Sequence, residues 1–116
     1  MTIREFYAAI GGDYDDVMAR LRMEGLVQRF VQKFKADGSY QLLCDSLAAG
    51  DYAEAFRAAH TLKGVCQNLS FTPLHHTAHE LTELLRDCEP HDCSELMDKL
   101  KQSYQTVIDA IEQLDS

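Results

Sequence analysis

Apolar residues in this chain return every three or four positions and nowhere alternate one by one, which restricts the chain to helices that each bury one face. The clearest run is the last. Met97, Leu100, Tyr104, Val107, Ile111 and Leu114 sustain a seven-residue repeat along a long helix that begins near Asp92 or Ser94. Upstream, Leu26, Val27, Phe30, Val31 and Phe34 mark a helix from about Glu24, and Tyr40, Leu43, Cys44 and Leu47 mark the next. A third stripe holds Tyr52, Ala55, Phe56, Ala59, Leu62, Cys66 and Leu69, and a fourth holds Leu74, Ala78, Leu81, Leu85 and Cys88. In a chain this small the aromatic pair Phe30 and Phe34 is expected in the core.

Breakers and caps fall between these stripes. Gly38 is expected to stop its helix in a left-handed conformation, with Ser39 capping the one that follows and Gly50 ending it. Asp51 with Glu54 reads as an acidic capping box, Thr72 before Pro73 as a cap followed by a first-turn proline, and Pro90 as a stop. At the start, Ile3, Phe6, Tyr7 and Ile10 give an amphipathic turn or two that Gly11 and Gly12 interrupt. Asp13 with Asp16 then opens a short helix through Val17, Met18 and Leu21. The expected fold is all-α: an antiparallel up-down-up-down four-helix bundle over 24–114, with short additional N-terminal helices in 1–22 packed on it. The 116 residues suit one domain, and a monomer is expected.

Charge narrows the partners. Nineteen acidic residues against eleven Lys and Arg give a net charge of −8, with no basic cluster to neutralise phosphates, so neither nucleic acid nor an anionic membrane surface is expected as a ligand. The longest unbroken apolar run is Phe6 to Ile10, too short for an export signal, and a cytoplasmic location is expected. The cysteines Cys44, Cys66, Cys88 and Cys93 then read as free thiols, with the first three on apolar stripes where cysteine behaves as a small hydrophobe.

The chemistry concentrates on the third stripe's helix. His60 lies about 120° from the centre of that stripe, on the flank that meets solvent, so it does not pack. Lys63 follows one turn later and reaches the same patch along its apolar stem, and Gln67 lies nearly in line with His60 two turns on. Gly64 is the oddity, because a glycine inside a helix costs about 1 kcal/mol relative to alanine and no helix end is near. A bare position one turn after an exposed imidazole leaves that ring open to a large reactant, such as another protein's surface. With Lys63 to hold negative charge beside the ring, a phosphoryl group is the natural cargo.

The string Ala59-His60-Thr61-Leu62-Lys63-Gly64, with Gly50-Asp51-Tyr52 before it and Asn68-Leu69 after it, resembles the signature of the histidine-containing phosphotransfer (HPt) domains of bacterial phosphorelays. The likeness runs from about Asp13 to Leu114 and includes the helix around Phe30 and Phe34 and the leucine-rich helix after Thr72. It implies that His60 accepts a phosphoryl group from a receiver-domain aspartate, or from a hybrid sensor histidine kinase, and passes it to another receiver. Lys63 would balance phosphoryl charge and Gly64 would admit the receiver. Arg57, Gln67 and Thr82 would belong to the docking surface or the surroundings of the imidazole. The resemblance further implies no kinase activity, no bound cofactor, and Mg²⁺ supplied by the receiver. Two positions depart from the family pattern: Ser70 where many members have glycine, and Thr82 where many place a glutamine that hydrogen-bonds the imidazole.

The same residues admit two other readings. The domain could dock on a kinase or receiver without carrying phosphate. Alternatively, His75, His79, His91 and Cys93 could bind a metal, His75 and His79 being four apart on one helix face; against this, the candidate ligands spread over two helices and a loop.

Overall fold

The computed structural model describes residues 1–114, which form helices and turns with no strand among them. In order these are α1 (Ile3–Ile10), α2 (Tyr14–Leu21), α3 (Glu24–Lys33), α4 (Ser39–Ala48), α5 (Tyr52–Leu69), α6 (Thr72–Leu84) and α7 (Ser94–Glu112). A 3-10 turn, Phe34–Ala36, extends α3. α5 is the central element: it packs extensively against both α4 and α6 and touches α3. α6 in turn packs on α7, and α1 lies against α7.

The stripe on α5 explains that position. Ala55, Ala58 and Ala59 are buried in its first half, where small side chains let neighbouring helices approach, and Leu62, Cys66 and Leu69 fill its second half. The wider core is tied together by aromatic rings. Phe71, between α5 and α6, is fully buried and meets Phe6 at 5.8 Å, Tyr7 at 6.0 Å and Phe34 at 5.2 Å between ring centroids. Phe34 continues to Tyr104 on α7 at 5.8 Å, and Tyr104 stacks flat on Tyr40 of α4 at 4.0 Å. Such pairs stabilise beyond the area they bury and fix how the helices meet.

The N-terminal helices hold the end of α5. Of its last carbonyls, which have no partner within the helix, those of Cys66 and Gln67 accept the N–H groups of Phe71 and Ser70, and the end of the helix is otherwise met from α1, α2 and the link between them. The Tyr7 hydroxyl donates to the Leu69 carbonyl at 2.7 Å, Arg20 donates to the Asn68 carbonyl at 2.7 Å, and the Asp13 N–H donates to the Ser70 carbonyl at 3.0 Å. Ser70 itself sits in the left-handed region at φ 57°, which explains why a glycine would suit this position. Its hydroxyl donates to Asp16 Oδ2 at 2.6 Å, and Arg20 donates to the same oxygen at 2.7 Å.

Several sequence-level expectations require correction. Gly38 is not left-handed (φ −90°); the chain reverses through the 3-10 turn, and Asp37 Oδ1 accepts the Ser39 N–H at 2.9 Å. Ser39 therefore lies inside α4 and is buried, with Gly38 in the capping position. Phe71, not Thr72, is the N-cap of α6, because its ring is anchored in the core just before the helix begins. α6 stops at Leu84, so Leu85 still packs but Cys88 leaves the stripe, exposed and left-handed at φ 60°, while Cys93 is buried. All four cysteines are free. Phe30 is 40% exposed, since Val27, Val31 and Phe34 occupy the covered face of α3. The opening turn is a full helix because Thr2 and Glu5 form a reciprocal capping box. The two acidic boxes form by half: Asp13 and Asp51 accept the N–H groups of Asp16 and Glu54 at 3.0 and 3.1 Å, but the downstream carboxylates turn to Arg20 and Arg57.

Candidate functional site

His60 stands near the middle of α5, exposed, more than two turns from either end. Asp51 caps the start of that helix and the α1–α2 segment holds its finish, so the backbone beneath the imidazole is fixed from both sides. Within about 60° of His60 around the helix lie Arg57, Lys63, Gly64 and Gln67. Arg57, Gly64 and Gln67 are exposed, and Lys63 is half-buried. These five residues share one face of one helix. Thr82 does not join them: it is 0% exposed on α6, and its hydroxyl donates to the Ala78 carbonyl at 2.7 Å.

Lys63 has no ion-pair partner among the described residues, whereas Arg57 is paired with Glu54 at 3.1 Å. Its charge still reaches the neighbouring helix. The Glu83 carboxyl is held below its ordinary range chiefly by hydrogen bonds from Arg86, with His79 and Lys63 assisting. His75 is lowered from its ordinary value first by burial and then by the charges of His79, His76 and Lys63. At Gly64 an added Cβ would meet nothing within 4 Å beyond its own stretch of helix. The position is open on the solvent side.

Beyond Gly64 the face turns apolar. Val65 and Asn68 of α5 form one wall of a groove of about 250 Å³ whose other wall includes Leu21 of α2 and Phe30 and Lys33 of α3. The half-exposed Phe30 ring is thus part of the surface that flanks the histidine helix. On the other side of His60 is Phe56, one turn earlier on α5, with ring centroids 6.0 Å apart and planes 22° from parallel. Spacing of four residues on a helix is the sequence sign that could have revealed this contact. Phe30's exposure had no such sign.

The metal alternative finds no geometry. Among the described residues no group of three or more His, Cys, Asp or Glu side chains could hold an ion. His91 is engaged with Asp87 at 2.9 Å, and Cys93 is buried.

These features define a class: a helical bundle that displays an exposed histidine in mid-helix, with a lysine and a bare position beside it. The profile of the Hpt domain family matches residues 25–115, most of the chain, and the chain belongs to that family. No curated protein and no solved structure gives a significant match. Membership implies phosphotransfer in two-component signalling, with response-regulator receivers or kinases as the partners, by a phosphocarrier that is not generally an enzyme. No helix of the described residues is long and apolar enough to cross a membrane. α1 and α2 lie outside the matched segment.

Proposed function

We propose that this protein is a cytoplasmic phosphorelay intermediate, built on an antiparallel up-down-up-down bundle, that carries a phosphoryl group on His60 between receiver aspartates. The observation that carries this reading is the grouping of an exposed imidazole, an unpaired Lys63 and an unobstructed Gly64 on one face of α5. A ring nitrogen of neutral His60 supplies its lone pair to the phosphorus of the receiver's aspartyl phosphate. The new N–P bond forms as the P–O bond to the aspartate breaks, the carboxylate leaves with the electron pair, and the second ring nitrogen keeps its proton until solvent takes it. Passing the phosphoryl group to the next aspartate breaks the N–P bond as a new P–O bond forms, and the second ring nitrogen recovers a proton from solvent to regenerate the imidazole. Lys63 balances charge on the phosphoryl oxygens, and such charge stabilisation acts strongly once docking excludes water. Mg²⁺ belongs to the receiver.

The receiver would settle over Gly64 and on toward Phe30, with Arg57 and Gln67 at the rim of the contact. An exposed aromatic beside an open groove fits a protein partner, which such rings commonly anchor. Passage of label from one receiver to a second through this protein tests the reading. Transfer is expected with the wild type and should vanish with His60→Gln; transfer that proceeds equally through the variant would contradict it.

A further inference from the structure

An exposed helix histidine ordinarily samples several side-chain rotamers, and a phosphoryl acceptor works faster when its ring is already turned toward the incoming group. In this protein no side chain among the described residues hydrogen-bonds the imidazole of His60. Thr82, on the neighbouring helix, is buried and its hydroxyl is used by Ala78. Beside the imidazole stands the Phe56 ring, with centroids 6.0 Å apart and planes 22° from parallel. Phe56 is itself half-buried and packed on the core, which restricts its ring more than an exposed side chain.

The Phe56 ring is also met from the turn that follows α6. The Arg86 guanidinium carbon lies 5.5 Å from its centroid, within the range of a cation–π contact. Arg86 is fixed in turn by two hydrogen bonds to Glu83, at 2.7 and 3.2 Å. A continuous chain therefore runs Glu83, Arg86, Phe56, His60 and links the end of α6 to the imidazole on α5. We infer that Phe56, steadied by Arg86, is a positioning residue that orients the His60 ring for phosphoryl transfer in place of a hydrogen-bonding side chain. This inference rests on the proposed phosphorelay function and adds to it the means by which the acceptor is aligned. Phe56 takes no part in bond making. It narrows the imidazole's rotamers and covers part of one side of the ring, leaving the nitrogen-bearing edge to the receiver.

The test combines a spectroscopic readout with a kinetic one, using Phe56→Leu, Phe56→Tyr and Arg86→Met. In the wild type, nuclear Overhauser contacts between the Phe56 ring and the carbon-bound protons of the His60 ring are expected, the latter assigned by comparison with His60→Gln. Phe56→Tyr should retain these contacts. The receivers are loaded from acetyl phosphate, and transfer is timed at saturating and subsaturating receiver. Phe56→Leu should slow the step within the complex by about tenfold with receiver affinity unchanged, and Phe56→Tyr should restore it. Arg86→Met should weaken the ring contact and give an intermediate loss. Wild-type rates in Phe56→Leu, or a loss that lies entirely in receiver affinity, would overturn the positioning role while leaving the relay intact. A wild type that accepts no phosphoryl group from any receiver, with its ring contact present, would overturn the relay reading and the inference with it.

Discussion

A Cβ added at Gly64 meets nothing within 4 Å beyond its own stretch of helix, so the glycine is not explained by packing within the free protein. Gly64→Gln should therefore raise stability, by up to about 1 kcal/mol from helix propensity, while it blocks receiver binding and transfer. Urea midpoints and receiver titration read the two effects separately, and normal binding in the variant would remove the close-approach explanation. Lys63→Ala should slow transfer but leave receiver binding largely intact, because it removes charge and not access. Ser70 presents the opposite situation, a side chain where its backbone conformation favours none. Its hydroxyl bond to Asp16 offsets left-handed strain, so Ser70→Ala keeps the strain, loses the bond and should cost about 1–2 kcal/mol. Ser70→Gly should stay close to the wild type, since it loses both. The His60, Lys63 and Gly64 grouping was legible because it depends on spacing within one helix. Thr82 was not, because the covered face of α6 is broad and places residues 81 and 82 both in the interior.

At the scale of elements, α5 shows which local rules reach into three dimensions. Its start at Asp51 and its end near Leu69 were readable from the chain, as was the stripe that it buries. The hold on its last turn by Tyr7, Asp13 and Arg20 was not, since nothing in the spacing of residues so far apart in the chain announces their meeting. The same limit explains Phe30 and Phe34, which share one helical stripe and differ only in whether another element covers them. The α2–α5 connection has a pH signature. The Asp16 carboxyl is held below its ordinary value of 3.8, first by the Ser70 hydroxyl and then by Arg20. A depressed folded value means that the contribution is present above pH 3.8 and is lost as pH falls through the folded value. Melting temperature in the wild type should drop through this acid window, and Asp16→Asn should be less stable at neutral pH with a shallower acid slope. An unchanged slope would show that the carboxylate does not tie α2 to α5.

For the whole molecule, the all-helical character and the order of stripes followed from periodicity, whereas the aromatic junction that joins α1, α3, α4, α6 and α7 did not. Periodicity states which side of a helix is buried and is silent on what it meets. Phe71 is the centre of that junction, and Phe71→Ala should cost about 3–5 kcal/mol in a denaturant melt, well above any change expected at the exposed face of α5. The central claim, that this bundle exists to present one phosphorylatable histidine, is tested most directly by locating the phosphoryl group after incubation with a labelled, phosphorylated receiver. An acid-labile, alkali-stable label is expected on His60 and absent from His60→Gln, although that variant keeps the wild-type helical spectrum and melting temperature. Label at another residue, or equal labelling of the variant, would contradict it.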